Sequence, residues 1–462
     1  MEVKILGAAK EVTGSCYALS TDKSKIFIDC GMFQGEEEEL KGLNFKPFDF
    51  KTNEFSALLL THAHLDHCGR IPFLVRSGFR GTIYATDATK ALAFIVMADS
   101  AKIAVEDARN ENKRRKKENL KEVKPAYSMV EVMQAMKLFK IVKYGVDVKI
   151  SEDISAKFYD AGHILGSSSI QVKVNDSGKE KTIVFSGDLG NKDSILVRHT
   201  EFINEADYVF MESTYGNRLH DPLNKTKGEL IRIIKETYGK GGKLMIPSFA
   251  IERTQELLYY LNEFKNEKSM PNIPVFLDSP MAIRATDVFK KFTNYFNSKV
   301  QKTLEKDSDV FGFPGLKLTV KRNESIEINS IQKPCIIIAG SGMCSGGRIK
   351  HHIANNIENE ANTLLFVGFQ VKGTLGNLIQ GGEKIIKLLG KVVKVKSKIE
   401  SIDGFSAHAD KDELYKWLDN FKKKPKVFII HGDYEQQVPL SKELTKKKFG
   451  NYVPSLNEVI KL

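Results

Sequence analysis

The sequence predicts an α/β protein, and three features of the chain predict it. Roughly the first 200 residues contain short strands of β-branched and aliphatic residues, separated by Gly and Asp turns. Residues 87–145 form a long charged stretch with apolar residues at helical spacing. From about Ser213, apolar runs alternate with amphipathic helical segments, a pattern typical of parallel βαβ units.

The composition is that of a large globular protein. The 462 residues are 42% hydrophobic and 28% charged, which is enough for a sizeable core and for two or three domains. The amino terminus has no basic region followed by an apolar run and a cleavage site, and no later segment is apolar over the length of a membrane span. These features predict a cytoplasmic protein with no membrane partner.

The cysteines predict a reduced protein. Five of them, Cys16, Cys30, Cys68, Cys335 and Cys344, are scattered and show no CxxC spacing, which argues against both a disulfide framework and a thiolate zinc site. We expect them to be reduced and mostly buried. Cys68 directly follows the histidine-rich motif described below, but for this residue we favour a packing role over ligation.

The net charge favours polyanionic partners. The chain carries 70 basic and 58 acidic side chains, a formal charge of +12, which promotes steering and counterion release with nucleic acids. Charge alone is weak evidence, however. The basic runs at residues 113–117 and 422–424 fit solvated helix faces equally well.

The strongest chemical signal is the segment THAHLDHCGRIP. It places His62, His64, Asp66 and His67 directly after the apolar strand SALLL. Because alternate residues of an extended segment share a face, His62 and His64 can point at one metal, while Asp66 and His67 turn towards a neighbouring one. Imidazole and carboxylate are zinc ligands. Three histidines and an aspartate so close together, in a chain with only ten histidines, make a chance polar loop an improbable explanation.

Other polar residues also follow predicted strands. Asp29 ends KIFID, His163 lies in DAGHILGSSS, and Asp188 lies in VFSGDLGN. Singly, His163 is as well explained by a histidine bonded to turn backbone, and Asp188 by a turn aspartate. Together with the HxHxDH motif, these elements resemble the metallo-β-lactamase superfamily. That resemblance identifies a site and not a substrate, because lactamases, glyoxalases and nucleases share it.

Later motifs resemble one branch of the superfamily, the β-CASP nucleases, which include the eukaryotic pre-mRNA 3′-end cleavage nuclease. FMESTYGNR presents Glu212 as in motif A, GFSAHADKDEL presents His408 as in motif B, and FIIHGD presents His431 as in motif C. GHILGSSS and ESTYG are closer to the cleavage-factor-like subgroup than to the bacterial mRNA-decay exonucleases. Since the chain ends shortly after His431 and starts on its first strand, we expect a stand-alone prokaryotic enzyme.

Two segments between these motifs resemble the domain that β-CASP nucleases insert. PSFAIERTQELL, with Phe249, Arg253 and Gln255, resembles its helix entry. GSGMCSGGR resembles its Gly-rich turn, in which the backbone of Ser341, Gly342 and Met343 is suited to cradling a phosphate, with Arg253 as a further phosphate contact. Gly-rich sequences of this kind form turns with only a packing role at least as often.

The resemblance implies an architecture. We expect an αββα metallo-β-lactamase sandwich built from both chain ends, with an inserted α/β β-CASP domain. The predicted borders are residues 1–208 for the first sandwich segment, 209–395 for the insertion and 396–462 for the second segment. Single-stranded RNA would run in the cleft between the two domains.

The resemblance also implies the roles of the site residues. His62, His64 and His163 would bind one zinc ion, Asp66, His67 and His431 a second, and Asp188 would bridge them, with Asp29 orienting the histidine loop from behind. Two such ions activate a water for in-line attack on phosphorus, so Asp66 and Asp188 count as catalytic ligands. His408, held by Glu212, would protonate the departing 3′ oxygen, leaving a 5′-phosphate and a 3′-hydroxyl.

Two other classes of function stay open at this stage. A small-molecule hydrolase would use the same metals, but it gives no purpose to His408, Glu212 or the long insertion. A non-catalytic RNA-binding subunit would not need the complete ligand set. The sequence does not separate endonuclease from 5′-to-3′ exonuclease action, and homodimer formation is implied by family resemblance alone.

Overall fold

The computed structural model describes residues 1–35, 38–176, 178–220, 223–368, 370–371 and 373–462. The chain forms two compact units. Unit 1 combines Met1–Leu219 with His408–Leu462, and unit 2 is His220–Ala407. The sandwich fold is thus built from both ends of the chain, as predicted.

The first segment of unit 1 is rich in short strands. Its elements are β1 (Glu2–Ile5), β2 (Tyr17–Ser20), β3 (Lys25–Ile28), α1 (Glu38–Leu43), a 3-10 turn (Thr52–Glu54), β4 (Ala57–Leu59), α2 (Leu65–Cys68), α3 (Ile71–Arg76), β5 (Thr82–Ala85), α4 (Asp87–Lys117), α5 (Met129–Lys137), β6 (Phe139–Ile141), β7 (Asp147–Lys149), β8 (Ile154–Asp160), β9 (Ser168–Asp176), β10 (Lys179–Phe185) and β11 (Tyr208–Met211).

Unit 2 alternates helices with strands. Its elements are α6 (Leu223–Gly239), β12 (Leu244–Pro247), α7 (Arg253–Asn266), β13 (Val275–Leu277), α8 (Pro280–Lys291), a 3-10 turn (Thr293–Tyr295), α9 (Ser298–Leu304), β14 (Leu316–Leu318), α10 (Arg322–Ser330), β15 (Ile336–Ala339), α11 (Ile349–Asn356), β16 (Thr363–Phe366), α12 (Leu375–Gln380), β17 (Ile385–Leu388), β18 (Lys391–Lys394), β19 (Lys398–Ser401) and a 3-10 turn (Asp403–Phe405).

The second segment of unit 1 completes the sandwich. Its elements are α13 (Lys411–Asp419), β20 (Lys426–Ile429), α14 (Tyr434–Lys446), β21 (Asn451–Tyr452) and β22 (Val459–Lys461). Strand β22 pairs antiparallel with β1, and β20 pairs in parallel with β11. Each sheet of the sandwich therefore contains strands from both segments.

Unit 1 is a four-layered αββα sandwich. Its two seven-stranded sheets have the orders β22-β1-β2-β3-β4-β5-β6 and β21-β20-β11-β10-β9-β8-β7. One apolar core lies between the sheets, with side chains such as Leu19 and Ile28 from the first and Phe158 and Val172 from the second. Helices α13 and α14 cover the outer face of the second sheet, and α4 contacts the first sheet at β6.

Alternating burial shows why β8 is a strand of this sandwich. In ISAKFYD every second residue, from Ile154 to Asp160, is buried, and the residues between them are only half-buried. Helix α4 begins where the hydroxyl of its N-cap Thr86 accepts a hydrogen bond from the Thr89 amide, and α5 begins with a Ser128–Glu131 capping box. The local sequence thus fixes both kinds of element.

Unit 2 is a separate α/β domain. All pairings in its six-stranded sheet, ordered β14-β13-β15-β12-β16-β19, are parallel. Its central strands are fully buried, for example Ile336–Ala339, as expected where helices cover both faces of a parallel sheet. The predicted second α/β domain is confirmed.

The borders of the two units differ from the predicted borders. The units divide after Leu219 and after Ala407, whereas the predicted divisions follow residues 208 and 395. Strand β11 still belongs to the sandwich because it pairs with β10, and β19 still belongs to unit 2 because it pairs with β16. Strand pairing, which is not visible in local sequence, places both divisions later in the chain.

Two other expectations concern the cysteines and the membrane. Among the described residues, all five cysteines are free and buried, which confirms the prediction. The Cys68 thiol lies 3.5 Å from the Ala63 carbonyl oxygen, in keeping with a packing role. No helix in the described part of the chain has the length and apolar character needed to cross a bilayer.

Candidate metal centre

The predicted ligands all lie in unit 1 and follow the ends of its strands. His62 and His64 come after β4, His163 after β8, Asp188 after β10 and His431 after β20. Because these strands end at one edge of the sandwich, the fold brings four distant segments into one cluster. Asp66 and His67 join it from the short helix α2, which starts directly after His64.

One group of side chains consists of His62, His64, His163 and Asp188. The His64 Nδ1 atom lies 3.2 Å from His62 Nε2 and 3.2 Å from His163 Nε2. The ligand atoms of all four residues lie within 4.8 Å of one another. Converging imidazole nitrogens beside a carboxylate form a donor set that suits zinc.

A second group consists of Asp66, His67 and His431. His431 Nε2 lies 3.3 Å from His67 Nε2 and 3.4 Å from Asp66 Oδ2. His67 and His431 are buried, and the Asp66 side chain is only 18% exposed. This group is therefore a second candidate metal site made of nitrogen and oxygen donors.

Asp188 connects the two groups through its two carboxylate oxygens. Its Oδ2 lies 3.5 Å from His62 Nε2 and 3.6 Å from His163 Nε2, whereas its Oδ1 lies 3.3 Å from His67 Nε2 and 3.4 Å from His431 Nδ1. Oδ1 is buried and makes no hydrogen bond of standard geometry among the described residues. A buried carboxylate oxygen without a well-formed hydrogen bond is suited to binding a cation, because burying such a polar atom costs free energy.

The electrostatics of the first group of ligands favour cation binding. Burial lowers the pKa of His64 to about 4, and burial together with the charge of His67 lowers the pKa of His62 well below its ordinary value. Both imidazoles are therefore neutral near pH 7, the form that binds metals. Burial raises the pKa of Asp188, but the surrounding histidines outweigh burial and hold that pKa well below its usual range.

Asp29 supports the cluster from behind. It follows β3 in the left-handed region, with φ of 58°, and its Oδ2 lies 2.8 Å from His67 Nδ1. Its two oxygens also accept hydrogen bonds from the Thr61 amide and hydroxyl, each at 2.8 Å. Asp29 thus holds the His67 ring so that Nε2 faces the cluster.

His408 and Glu212 form a pair at the edge of the cluster. His408 Nδ1 lies 3.2 Å from Glu212 Oε1 and 3.9 Å from Asp188 Oδ2. Burial lowers the pKa of His408, but Glu212 and then Asp188 raise it to about 9. Glu212 is fully buried and His408 remains 21% exposed, so the imidazole is the member of the pair that a substrate can reach.

Sequence reasoning missed three hydroxyl groups in this site. Thr61 Oγ1 lies 3.1 Å from His62 Nδ1, Thr214 Oγ1 lies 3.2 Å from His431 Nδ1, and Ser15 Oγ lies 3.3 Å from His67 Nε2. The Thr61 and Thr214 hydroxyls contact the Nδ1 atoms and orient those rings, whereas the Ser15 hydroxyl lies at the nitrogen of His67 that faces the cluster. Thr61 precedes the histidine motif and Thr214 follows Glu212, so closeness to the motifs was the one signal available.

The predicted phosphate contacts lie in unit 2. Ser341–Met343 follow β15, where the Ser341 hydroxyl accepts a hydrogen bond from the Gly346 amide at 3.1 Å and the Gly342 carbonyl accepts one from Gln370 Nε2 at 3.1 Å. Arg253 begins α7, is 7% exposed, and pairs with Glu256 at 2.9 Å. A phosphate-binding role for these residues stays a prediction.

The αββα sandwich and the histidine–aspartate cluster at its edge define a metallo-β-lactamase-type metal site. Family models agree with this along the chain. A metallo-β-lactamase superfamily domain matches residues 18–211, a Beta-Casp domain matches residues 254–379, and a Zn-dependent metallo-hydrolase RNA specificity domain matches residues 392–454. The chain belongs to the β-CASP ribonuclease family of the metallo-β-lactamase superfamily.

Curated relatives cover nearly the whole chain. Ribonuclease TTHA0252 of Thermus thermophilus is 36% identical over 98% of this chain and 100% of its own length. An RNase J-like protein of Methanocaldococcus jannaschii is 32% identical over 98% of this chain and 97% of its own length. Transcription termination factor FttA of Methanosarcina mazei is 32% identical over 97% of this chain and 69% of its own length.

A solved structure shares the fold. A protein of unknown function from Enterococcus faecalis V583 aligns with a TM-score of 0.54 over 100% of this chain and 99% of its own, at 12% sequence identity. At that identity the likeness shows the fold alone.

Proposed function

We propose that this protein is a zinc-dependent ribonuclease that hydrolyses phosphodiester bonds of single-stranded RNA and leaves a 5′-phosphate and a 3′-hydroxyl. The proposal includes endonuclease action, with 5′-to-3′ exonuclease action as a further expectation, in RNA processing or decay. The observation that carries it is the position of Asp188, whose two oxygens face two separate groups of ligand side chains. That arrangement suits a pair of cations sharing one carboxylate.

The side chains form two groups, and each group is suited to hold one zinc ion. His62, His64 and His163 would hold one ion, Asp66, His67 and His431 the other, and Asp188 would lie between them. When bound, the two ions supply Lewis acidity and an activated water for attack on phosphorus. Asp29 and the Thr61 hydroxyl keep the imidazole rings aimed inward.

His408 would act as the general acid for the leaving group. With Nδ1 held by Glu212, Nε2 would be the ring nitrogen that donates a proton to the departing 3′ oxygen. Glu212 is itself positioned by the Leu189 amide, which donates to Oε1 at 2.7 Å, and by the Thr214 amide, which donates to Oε2 at 3.3 Å. Glu212 would thus be a positioning residue that also favours the protonated imidazole.

RNA is the substrate that the comparisons support. The match to an RNA specificity domain covers residues 392–454, which include His408 and His431. One relative is named a ribonuclease and another an RNase J-like protein. The net charge of +12 agrees with a polyanionic substrate. Ser341, Gly342, Met343 and Arg253 are proposed to contact its phosphates, and a cytoplasmic location and a homodimer complete the proposal.

The two alternative functions make different demands on the site. A small-molecule hydrolase needs the metal ligands but not the buried Glu212 or its pairing with His408. A non-catalytic RNA-binding subunit needs neither the convergent imidazoles nor the carboxylate between them. The complete constellation therefore favours the nuclease over both.

The test is cleavage of end-labelled single-stranded RNA by zinc-loaded protein, with chelator-treated protein and the His408→Ala variant in parallel. We expect products with 5′-phosphates, no cleavage after chelation and strongly slowed cleavage by the variant. Intact RNA in the presence of zinc-loaded wild-type protein would refute the proposal. Turnover of a small ester by that same sample would then favour the small-molecule hydrolase.

A further inference from the structure

An exposed lysine–tyrosine pair is tied through the backbone to His431, a member of the second group of ligands. Tyr434 is the first residue of α14, three positions after His431, and its side chain is 55% exposed. The Lys10 ammonium lies 5.6 Å from the centre of the Tyr434 ring. Neither residue belongs to the motifs that define the metal centre, so the proposed chemistry leaves the pair without a purpose.

The backbone fixes this pair relative to His431. The His431 amide donates to the Ala8 carbonyl at 2.8 Å, and the Gly432 amide donates to the Glu11 carbonyl at 3.1 Å, so the segment that carries Lys10 is tied to the segment that carries Tyr434. Ala8 and Lys10 have φ values of 50° and 63°, a left-handed conformation that costs free energy for residues other than glycine. Such strain is concentrated at functional sites.

The side chains have the chemistry of a subsite for single-stranded nucleic acid. The Lys10 ammonium donates to Ser455 Oγ at 2.9 Å, and no ion pair of Lys10 is seen among the described residues. With the ammonium over one face, the exposed Tyr434 ring still offers a surface on which a base can stack. An aromatic ring combined with a cation is the usual recognition unit for unpaired bases and their phosphates.

The charges around the ring set the orientation of a bound nucleotide. Asp433 and Glu435 flank Tyr434 and are exposed, so a phosphate near them would be repelled. We therefore expect the phosphate on the side of Lys10 and the base on the Tyr434 ring.

We propose that Lys10 and Tyr434 form a nucleotide-binding subsite at the edge of the metal centre, in which an unpaired RNA base stacks on Tyr434 and a neighbouring phosphate contacts Lys10. The proposal rests on the proposed ribonuclease function and deepens it. The subsite would hold one nucleotide of the strand beside His431 and so help to set the register of cleavage.

The first test is equilibrium binding of a fluorescent single-stranded oligoribonucleotide to zinc-loaded protein, in a His408→Ala background that slows cleavage. Tyr434→Ala should weaken binding by about tenfold or more, while Tyr434→Phe and Tyr434→Trp should bind like the parent. Lys10→Gln should lower the slope of log affinity against log salt by about 0.7, the value for one phosphate contact on a single strand. Tyr452→Ala is the matched control, since Tyr452 is also an exposed tyrosine of unit 1, at 44%.

An abasic series locates the contact. If one base stacks on Tyr434, removing that base from the oligonucleotide should weaken binding to the parent protein and leave binding to Tyr434→Ala nearly unchanged. In steady-state cleavage without the His408 substitution, Tyr434→Ala should raise KM with little change in kcat.

Two results would overturn the subsite. One is Tyr434→Leu or Tyr434→Ala binding RNA as tightly as the parent. The other is a loss of activity in Tyr434→Ala that is equally large for RNA and for the base-free diester bis(p-nitrophenyl) phosphate. An equal loss would show that the substitution disturbs His431 and does not remove a contact with a base. Binding and cleavage are measured separately, so RNA that binds through Tyr434 but is never cleaved by zinc-loaded protein with His408 intact would refute the ribonuclease and retain the subsite.

Discussion

His408 Nδ1 lies 3.2 Å from Glu212 Oε1, although the two residues are 196 positions apart in the sequence. The backbone maintains this pairing, because Gly190 and His408 form an isolated antiparallel bridge and the Ala409 amide donates to the Leu189 carbonyl at 2.7 Å. The imidazole is thereby held in one orientation at the edge of the metal ligands. A preorganised general acid needs that restriction.

The first prediction concerns proton donation by His408. His408→Ala should lower kcat for single-stranded RNA by about 10²–10⁴-fold, the usual contribution of a general acid or base. Zinc content should not change, since all seven proposed ligands remain. The measurements are steady-state cleavage of RNA and elemental analysis of the same sample.

A substrate with a good leaving group provides the control for that prediction. p-Nitrophenolate departs without protonation, so His408→Ala should retain most of its activity on bis(p-nitrophenyl) phosphate. Glu212→Gln, which keeps the shape of the side chain and removes its charge, should shift the pH profile of RNA cleavage to lower pH because the pKa of His408 falls. Equal losses on both substrates would assign His408 a role other than acid.

The second prediction concerns metal stoichiometry. Wild-type protein should bind two zinc ions, whereas His64→Ala and His431→Ala should each lose about one, because each removes a ligand from only one group. Asp188→Asn should lose more than either, since Asp188 contacts both groups. Elemental analysis after dialysis against buffered zinc measures the number of ions bound per chain. An Asp188→Asn variant that keeps two tightly bound ions would contradict a carboxylate shared by both ions.

The third prediction concerns Asp29, which touches His67 but is not itself a proposed ligand. Asp29→Ala removes the partner of His67 Nδ1 and should weaken zinc binding by about 10- to 100-fold, as loss of such supporting carboxylates typically does. Asp153→Ala is the matched control, because Asp153 is also a buried aspartate that accepts hydroxyl hydrogen bonds. Competition with a chromogenic chelator measures the affinity, and equal affinities of the two variants would rule out the supporting role.

The site was predictable from sequence because its chemistry is concentrated in short motifs at strand ends. His62, His64, Asp66 and His67 lie within one loop, and a two-residue spacing on extended backbone already places the first two together. Their convergence with His163 and His431 was not visible in local sequence and came from family resemblance. The contact of Thr214 with His431 was not predictable from local sequence, since it depends on where β11 and β20 pair.

Two strands could not be predicted from the sequence, because their conformation also depends on pairing with distant strands. The helical pattern was expected to run to about residue 145, yet β6 begins at Phe139 and pairs in parallel with β5. Strand β22 at the end of the chain was not predicted either, although it completes the first sheet by pairing with β1. Strands of three residues carry too little local pattern, and their pairing with distant strands decides their conformation.

The fourth prediction concerns the effect of pH on stability through Asp160, a buried carboxyl at the end of β8. Burial raises its pKa to about 7, more than the Gly162 amide and Arg198 lower it. In the unfolded chain the carboxyl titrates near its ordinary value, so the folded protein binds this proton more tightly. The stabilisation is complete below the unfolded pKa and is lost as the pH rises through about 7.

The variant Asp160→Asn tests this dependence because an amide oxygen still accepts the Gly162 hydrogen bond, which spans 3.0 Å in the wild type, and cannot titrate. The melting temperature of the variant minus that of the wild type should increase between about pH 5 and about pH 8. The corresponding change in the free energy of unfolding is at most about 1.4 kcal/mol per pH unit for one proton. Both proteins are kept in excess chelator so that pH-dependent zinc loss does not contribute. If the difference in melting temperature stayed constant or fell with rising pH, the pairing with Arg198, at 3.1 Å, would outweigh burial and Asp160 would be ionised throughout.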